Sequence, residues 1–166
     1  MEVRQMATAF LMHENRLLMM KKSGSKLFSF EFWGGIGGHL EEQELNSPMK
    51  ASYREIKEET GFAEEEVLNF RLKYILIEMR EGEVRQQFVY FGETKHPDFI
   101  VSDEGELFWI PQNELKQLRT STLIKEMLEH YFLHPEVDHV IMGTFTMNED
   151  QEPYIQWGSL KDPKVF

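Results

Sequence analysis

Runs of apolar, β-compatible residues along this chain are separated by turn-forming residues and by two stretches with helical spacing. VRQMATAFLM (3–12) and RLLMM (16–20) flank His13-Glu14-Asn15, a pattern that predicts a hairpin. Lys21, Lys22 and Lys26 follow around a Ser-Gly-Ser loop, and LFSFEFWGGI (27–36) is aromatic and glycine-rich. Residues 67–79 and 84–93 carry the β-branched and aromatic residues of two strands, with Glu81-Gly82-Glu83 as their turn. His96-Pro97-Asp98 breaks the second strand. The tail holds VDHVIMGTFTM (137–147) and PYIQWGS (153–159), which predict an extra hairpin. Its expected roles are to extend or cover a sheet edge, to line a pocket with Trp157 or Tyr154, or to pair with a second copy in a homodimer.

Two segments have the helical period. In the second, Leu123, Ile124, Met127, Leu128, Tyr131 and Phe132 form a core-facing stripe over 121–133, ended by His134-Pro135. The first is predicted over 48–60. Pro48 suits the first helical position because it has no N–H to lose, Ser47 before it is an N-cap residue, and Gly61 can end the helix in the left-handed conformation. On a wheel, Met49, Ser52, Tyr53, Ile56 and Thr60 share one side and should face the core. Lys50, Arg54 and Lys57 form a basic side, and Glu55, Glu58 and Glu59 fall together on a third.

An acidic helix face is ordinarily a solvated one. If this one lies in a half-buried cleft, each pair of like charges costs about 3 kcal/mol at an effective dielectric of about 20. A divalent cation would reverse the sign of that term. Carboxylates with a backbone carbonyl suit Mg²⁺ or Mn²⁺, and Gly37 and Gly38 let the backbone come close enough to supply one.

Composition narrows the setting. At 166 residues the chain is expected to be one domain, and 41% hydrophobic with 28% charged residues is the balance of a soluble globular protein. Without cysteine there is no disulfide or thiol chemistry, which fits a reducing compartment. The N-terminal residues lack the pattern of a signal peptide, and no apolar run approaches bilayer-spanning length. A cytoplasmic protein is expected. The net charge of −11 argues against a nucleic-acid or membrane surface, but a metal site with local lysines can still bind a diphosphate.

Gly38, five residues, Glu44, and then Arg54-Glu55-Ile56-Lys57-Glu58-Glu59-Thr60-Gly61-Phe62 resembles the signature box of the Nudix hydrolases. The second half matches at every specified position. Between Glu44 and Arg54 stand nine residues where the family has seven, so Glu44, Glu41 or Glu42 is the partner of Arg54. The resemblance spans roughly 3–133. It implies an α/β fold, an α/β/α sandwich with a mixed central sheet, here with a C-terminal β-hairpin extension.

The resemblance also implies an activity: metal-dependent cleavage of a pyrophosphate bond in a nucleoside diphosphate linked to another group, a small-molecule nucleotide substrate. Glu55, Glu58 and Glu59 would hold Mg²⁺ or Mn²⁺ with the Gly37 carbonyl. Glu58, Glu59 or Glu104 would be the general base, and Arg54 would orient the glutamates beside it. Lys21 or Lys22 would meet phosphate, and Gly38 and Trp33 would line the substrate site. Ser102 to Leu115 is similar to the family's acidic loop and following Trp-apolar-Pro strand, with Glu106 and Asp103 as alternatives to Glu104. His39, His130 and His139 lack metal-ligand spacing. A module of the same fold that binds a nucleotide without turnover is the competing reading.

Overall fold

A computed structural model describes residues 1–23 and 31–164. Lys26 and the start of the aromatic segment, residues 27–30, lie outside the described residues. The first hairpin is β1 (Val3–His13) and β2 (Arg16–Lys22), turning at Glu14, whose φ of 55° is left-handed. Two short strands follow, β3 (Phe32–Gly34) and β4 (Ile36–His39), then helix α1 (Pro48–Thr60). The long hairpin is β5 (Val67–Arg80) and β6 (Glu83–Thr94). Strand β7 (Glu106–Pro111), helix α2 (Thr122–Leu133) and the tail hairpin β8 (Val140–Met147) and β9 (Pro153–Leu160) complete the chain.

Among the described residues the strands form a single mixed sheet in the order β3-β2-β1-β6-β5-β8-β9. β1 runs parallel to β6 along most of its length. Its other edge is shared: only its last two residues pair with β2, while Met6 to Ala9 pair with β4. This split lets β2, β3 and β7 diverge from the sheet and opens a space beside β4.

Period-two side-chain alternation sends neighbouring residues to opposite faces. Phe10, Leu17 and Met19 join the core under α2, and Ala9, Leu11, Leu18 and Met20 join the core under α1. Both faces are covered by a helix, so the α/β/α sandwich is observed.

α1 has the predicted limits. Gly61 caps it at φ 80°, donating its N–H to Lys57. Two details differ. Ser47 makes no side-chain cap bond, and Met49 is exposed. Ala51 takes an inward position instead, because the helix rests on the close-packed β1 and β4, where a small side chain fits. α2 follows its stripe, with Ser121 Oγ accepting from Ile124 N.

The tail hairpin extends the sheet: β8 runs parallel to β5, and β9 is the outer strand. Trp157 packs on Tyr74 and His130, and Gly143 leaves it room, since a Cβ there would stand 2.6 Å from the indole. Trp157 is thus spent on packing against the core, while Tyr154 is exposed. From β8, Phe145 lines an open cleft beside β4.

Candidate active site

The centre of the site is Arg54, near the middle of α1. Its Nε and Nη2 donate to the two carboxylate oxygens of Glu44 at 2.8 and 2.9 Å. Nη1 donates to Glu55 at 2.8 Å and to Glu58 at 3.2 Å, and Nη2 also reaches the His39 carbonyl at 3.2 Å. Glu44 is buried and receives the Glu41 N–H besides, so the guanidinium holds its carboxyl below the ordinary range. The two extra residues have not displaced Glu44. They fall in the short segment between the 3-10 turn (Glu42–Glu44) and the start of α1 at Pro48. Glu41 is a peripheral partner at 3.8 Å, and Glu42 is not among the contacts of Arg54.

Glu59 lies on the adjacent side of α1 and is 3% exposed. Its carboxylate accepts the Gly37 N–H at 3.2 Å. Burial pushes the carboxyl up to about 7, with repulsion from Glu55 and Glu104 adding to it, while the Lys22 ammonium and the Gly37 N–H oppose the rise. Lys22, Glu55, Glu59 and Glu104 are thus electrostatic neighbours, although they come from three separate parts of the chain. Glu104 is exposed in the turn before β7, where its N–H donates to Ser102 Oγ.

The expected convergence of Glu55, Glu58 and Glu59 is only partial. Arg54 draws Glu55 and Glu58 to itself, Glu58 remains largely exposed, and Glu59 turns inward to β4. Among the described residues no three acidic or histidine side chains stand close enough together to hold a metal ion as they are. The reason is electrostatic: the guanidinium is the nearest cation, and it offsets the like charge that the helix geometry creates.

The chemistry of the donor set still fits a hard divalent cation. Every donor is an oxygen, and Gly38 leaves a cradle, since a Cβ there would meet Glu55 Oε1 at 2.4 Å. Gly37, at φ 154° and pressed on Ala7, is a position a side chain could not share.

An open cleft of about 710 Å³ adjoins this cluster. Lys22, Trp33, Gly37 and Gly38 line it. Lys21 is the less available lysine, being paired to Glu31 at 3.0 Å. Trp33 sits edge-on to Phe108, half core and half cleft wall. The sequence reading missed Gln87, Arg85, Glu78 and Phe145, which line the same cleft. Nothing local marks them, because they are brought together by strand register.

Residues 3–131 match the NUDIX domain family. The chain belongs to that family. Members are hydrolases that cleave pyrophosphate bonds in nucleoside diphosphate derivatives, and this Nudix chain is a pyrophosphohydrolase by family. Among solved structures it resembles a MutT protein from Bacillus halodurans, at 24% identity over 93% of this chain and 97% of that one, with a TM-score of 0.71. A MutT protein from Methanosarcina mazei Go1 is 16% identical, covering 82% and 97%, TM-score 0.68. An Ap4A hydrolase of C. elegans, in a binary complex, is 14% identical, covering 82% and 98%, TM-score 0.62. No curated protein matches the chain. The solved structures support the Nudix fold. The matched span stops before β8 and β9, so the tail hairpin lies outside it. Among the described residues no helix is long and apolar enough to cross a membrane.

Proposed function

We propose that this Nudix protein is a metal-dependent hydrolase of a nucleoside diphosphate linked to another group, of the nucleoside triphosphate or nucleotide-sugar type, acting in the cytoplasm. The observation that carries the reading is Glu59: a buried carboxyl, pushed up to about 7, held against the N–H of Gly37, which lines the open cleft together with Lys22, the cation that acts on Glu59. Glu55, Glu58 and Glu59, with the Gly37 carbonyl, would hold Mg²⁺ or Mn²⁺. When bound, such an ion supplies charge neutralisation at the phosphates and a lowered pKa for water.

The chain's own groups divide the remaining work. Arg54, fixed by buried Glu44, sets the rotamers of Glu55 and Glu58. A carboxyl with a pKa near 7 is matched to taking a proton from water at neutral pH, which favours Glu59 as general base over exposed Glu104. Lys22 rather than Lys21 meets the phosphate chain. Gly38 lets the diphosphate approach the backbone, and Trp33 walls the cleft.

The hold of Arg54 on Glu55 and Glu58 is the feature that favours the competing reading, a module that binds nucleotide without turnover. A panel of nucleoside triphosphates and nucleotide-sugars with Mg²⁺ and with Mn²⁺ separates the two. Turnover that disappears in folded Glu58→Gln and Glu59→Gln supports the hydrolase, whereas nucleotide binding without product under both metals establishes the module.

A further inference from the structure

The cleft extends beyond the diphosphate end along the α2 face of the sheet, and its floor follows from register. Thr8, Val89, Tyr74 and Ile141 lie side by side across β1, β6, β5 and β8. The last three belong to the core packed by α2. Two residues further along each strand the row is Met6, Gln87, Leu76 and Gly143. Two further again it is Arg4, Arg85, Glu78 and Phe145. α2 begins at Thr122, and Leu123 and Ile124 in its first turn form the edge of the cleft. These outer rows are therefore left as cleft floor. The floor runs from Gly37 and Gly38 on β4, across β1 and β6, to Glu78 on β5. Three strand spacings make this on the order of 14 Å, a span suited to a ribose and a base.

Two features of the far end indicate what it reads. Glu78 is half-buried and lines the cleft, yet its carboxylate has no hydrogen bond or ion pair among the described residues. Arg85, directly opposite it on β6, spends only its Nε, on Glu83 at 3.3 Å. Beside them Gln87 donates to Thr8 Oγ1 at 2.6 Å, which fixes the orientation of its amide. A carboxylate is an acceptor with two oxygens, so it is best met by two adjacent N–H donors. Among the common bases only guanine presents that pair, N1–H and the 2-amino group, and its neighbouring O6 accepts from a guanidinium or an amide. Adenine and cytosine would set a ring-nitrogen lone pair against the carboxylate. Phe145, from the hairpin outside the family-matched span, closes the cleft beyond Glu78.

We infer that the cleft is selective for guanine nucleotides, with Glu78 as the specificity-determining residue and Arg85 and Gln87 as donors to the base carbonyl. The inference rests on the pyrophosphohydrolase reading only for the placing of the diphosphate.

The test has two readouts. Calorimetric titration with GDP, IDP and ADP in chelator measures base preference without turnover. Hydrolysis of GTP, ITP and ATP with Mg²⁺ measures kcat and KM. Hypoxanthine lacks only the 2-amino donor, so GDP should bind about tenfold more tightly than IDP, and ADP should bind more weakly still. Glu78→Gln should bring GDP and IDP to within about threefold by removing one of the two acceptors. In turnover the same change should appear in KM for GTP with kcat retained. An unshifted melting temperature in Glu78→Gln excludes a folding defect.

Equal binding of GDP, IDP and ADP by the wild type overturns the inference, and so does a GDP preference that survives in Glu78→Gln. The hydrolase reading fails separately. Guanine-selective binding without turnover would leave Glu78 in its role, and turnover without base preference would remove it.

Discussion

Replacing Glu59 by Gln should stabilise the metal-free protein, and only above the acidic range. The carboxyl titrates near 7 in the folded chain against 4.5 when unperturbed, because burial disfavours its charged form. The folded state therefore binds a proton more tightly than the unfolded state. Below pH 4.5 both states are protonated and Glu59 costs nothing. As pH rises from 4.5 through 7 the unfolded chain ionises first, and stability is lost. Above 7 the loss is complete and amounts to on the order of 3 kcal/mol, at about 1.4 kcal/mol per pH unit of separation. Gln is nearly isosteric and its amide oxygen can still accept the Gly37 N–H, so the variant escapes this cost. In a chain of this size the gain should raise the melting temperature by roughly 6–12 °C at pH 8 and leave it unchanged at pH 4. Urea unfolding of both proteins in chelator across that range is the assay. A Glu59→Gln protein that is less stable at pH 8, or a difference that does not vary with pH, would refute the reasoning.

Other substitutions probe the surrounding framework. Glu44→Gln breaks the two-point contact with Arg54 and leaves a guanidinium without its buried partner, so unfolding free energy should fall by about 2–3 kcal/mol, with turnover reduced as Glu55 and Glu58 lose their support. Denaturant unfolding and a kinetic assay on the same preparation check both effects. In Gly38→Ala the new methyl meets the end of a flexible side chain, Glu55. The fold should lose less than about 1 kcal/mol while Mg²⁺ no longer raises the melting temperature. Gly61→Ala puts a Cβ at a φ of 80° and 2.9 Å from Ile100, and should cost about 1–3 kcal/mol in urea unfolding.

Local chemistry carries what was legible in the sequence. Pro48 and Gly61 delimited α1 because a proline that has no N–H and a glycine free to turn left-handed act within one or two residues of their position. The strands of both long hairpins were legible for the same reason. Features that depend on contacts between distant segments were not. Whether Glu44, Glu41 or Glu42 holds Arg54 is decided by a 3-10 turn that buries one of them. The fate of the three carboxylates was misjudged because the wheel places Cα positions, whereas the guanidinium of a neighbouring residue decides where the carboxylates go. Glu78 and Phe145 stand 67 positions apart in sequence but directly opposite in the sheet, through a parallel pairing that no hairpin turn announces.

The charge arrangement explains how a protein of net charge −11 can take an anionic substrate. Cations are spread along the cleft, Lys22 at the end near Gly37 and Gly38 and Arg85 and Arg80 toward the far end beside Glu78. At about 8 Å of Debye length in physiological salt, the bulk of the acidic surface is screened from the cleft. On the proposed function, a bound phosphate meets Lys22, with buried Glu59 behind it as that lysine's charged neighbour. Protonation of Glu59 removes one negative charge there, so a substrate with several phosphates is held more tightly below pH 7 than above it, while the same proton disables the base. Substrate affinity measured in chelator should fall as pH rises from 6 to 8, and kcat in Mg²⁺ should rise over the same interval. In Glu59→Gln the affinity trend should vanish. An affinity that is flat with pH in the wild type would place the neutral-range titration on some other group and remove Glu59 from the role of base.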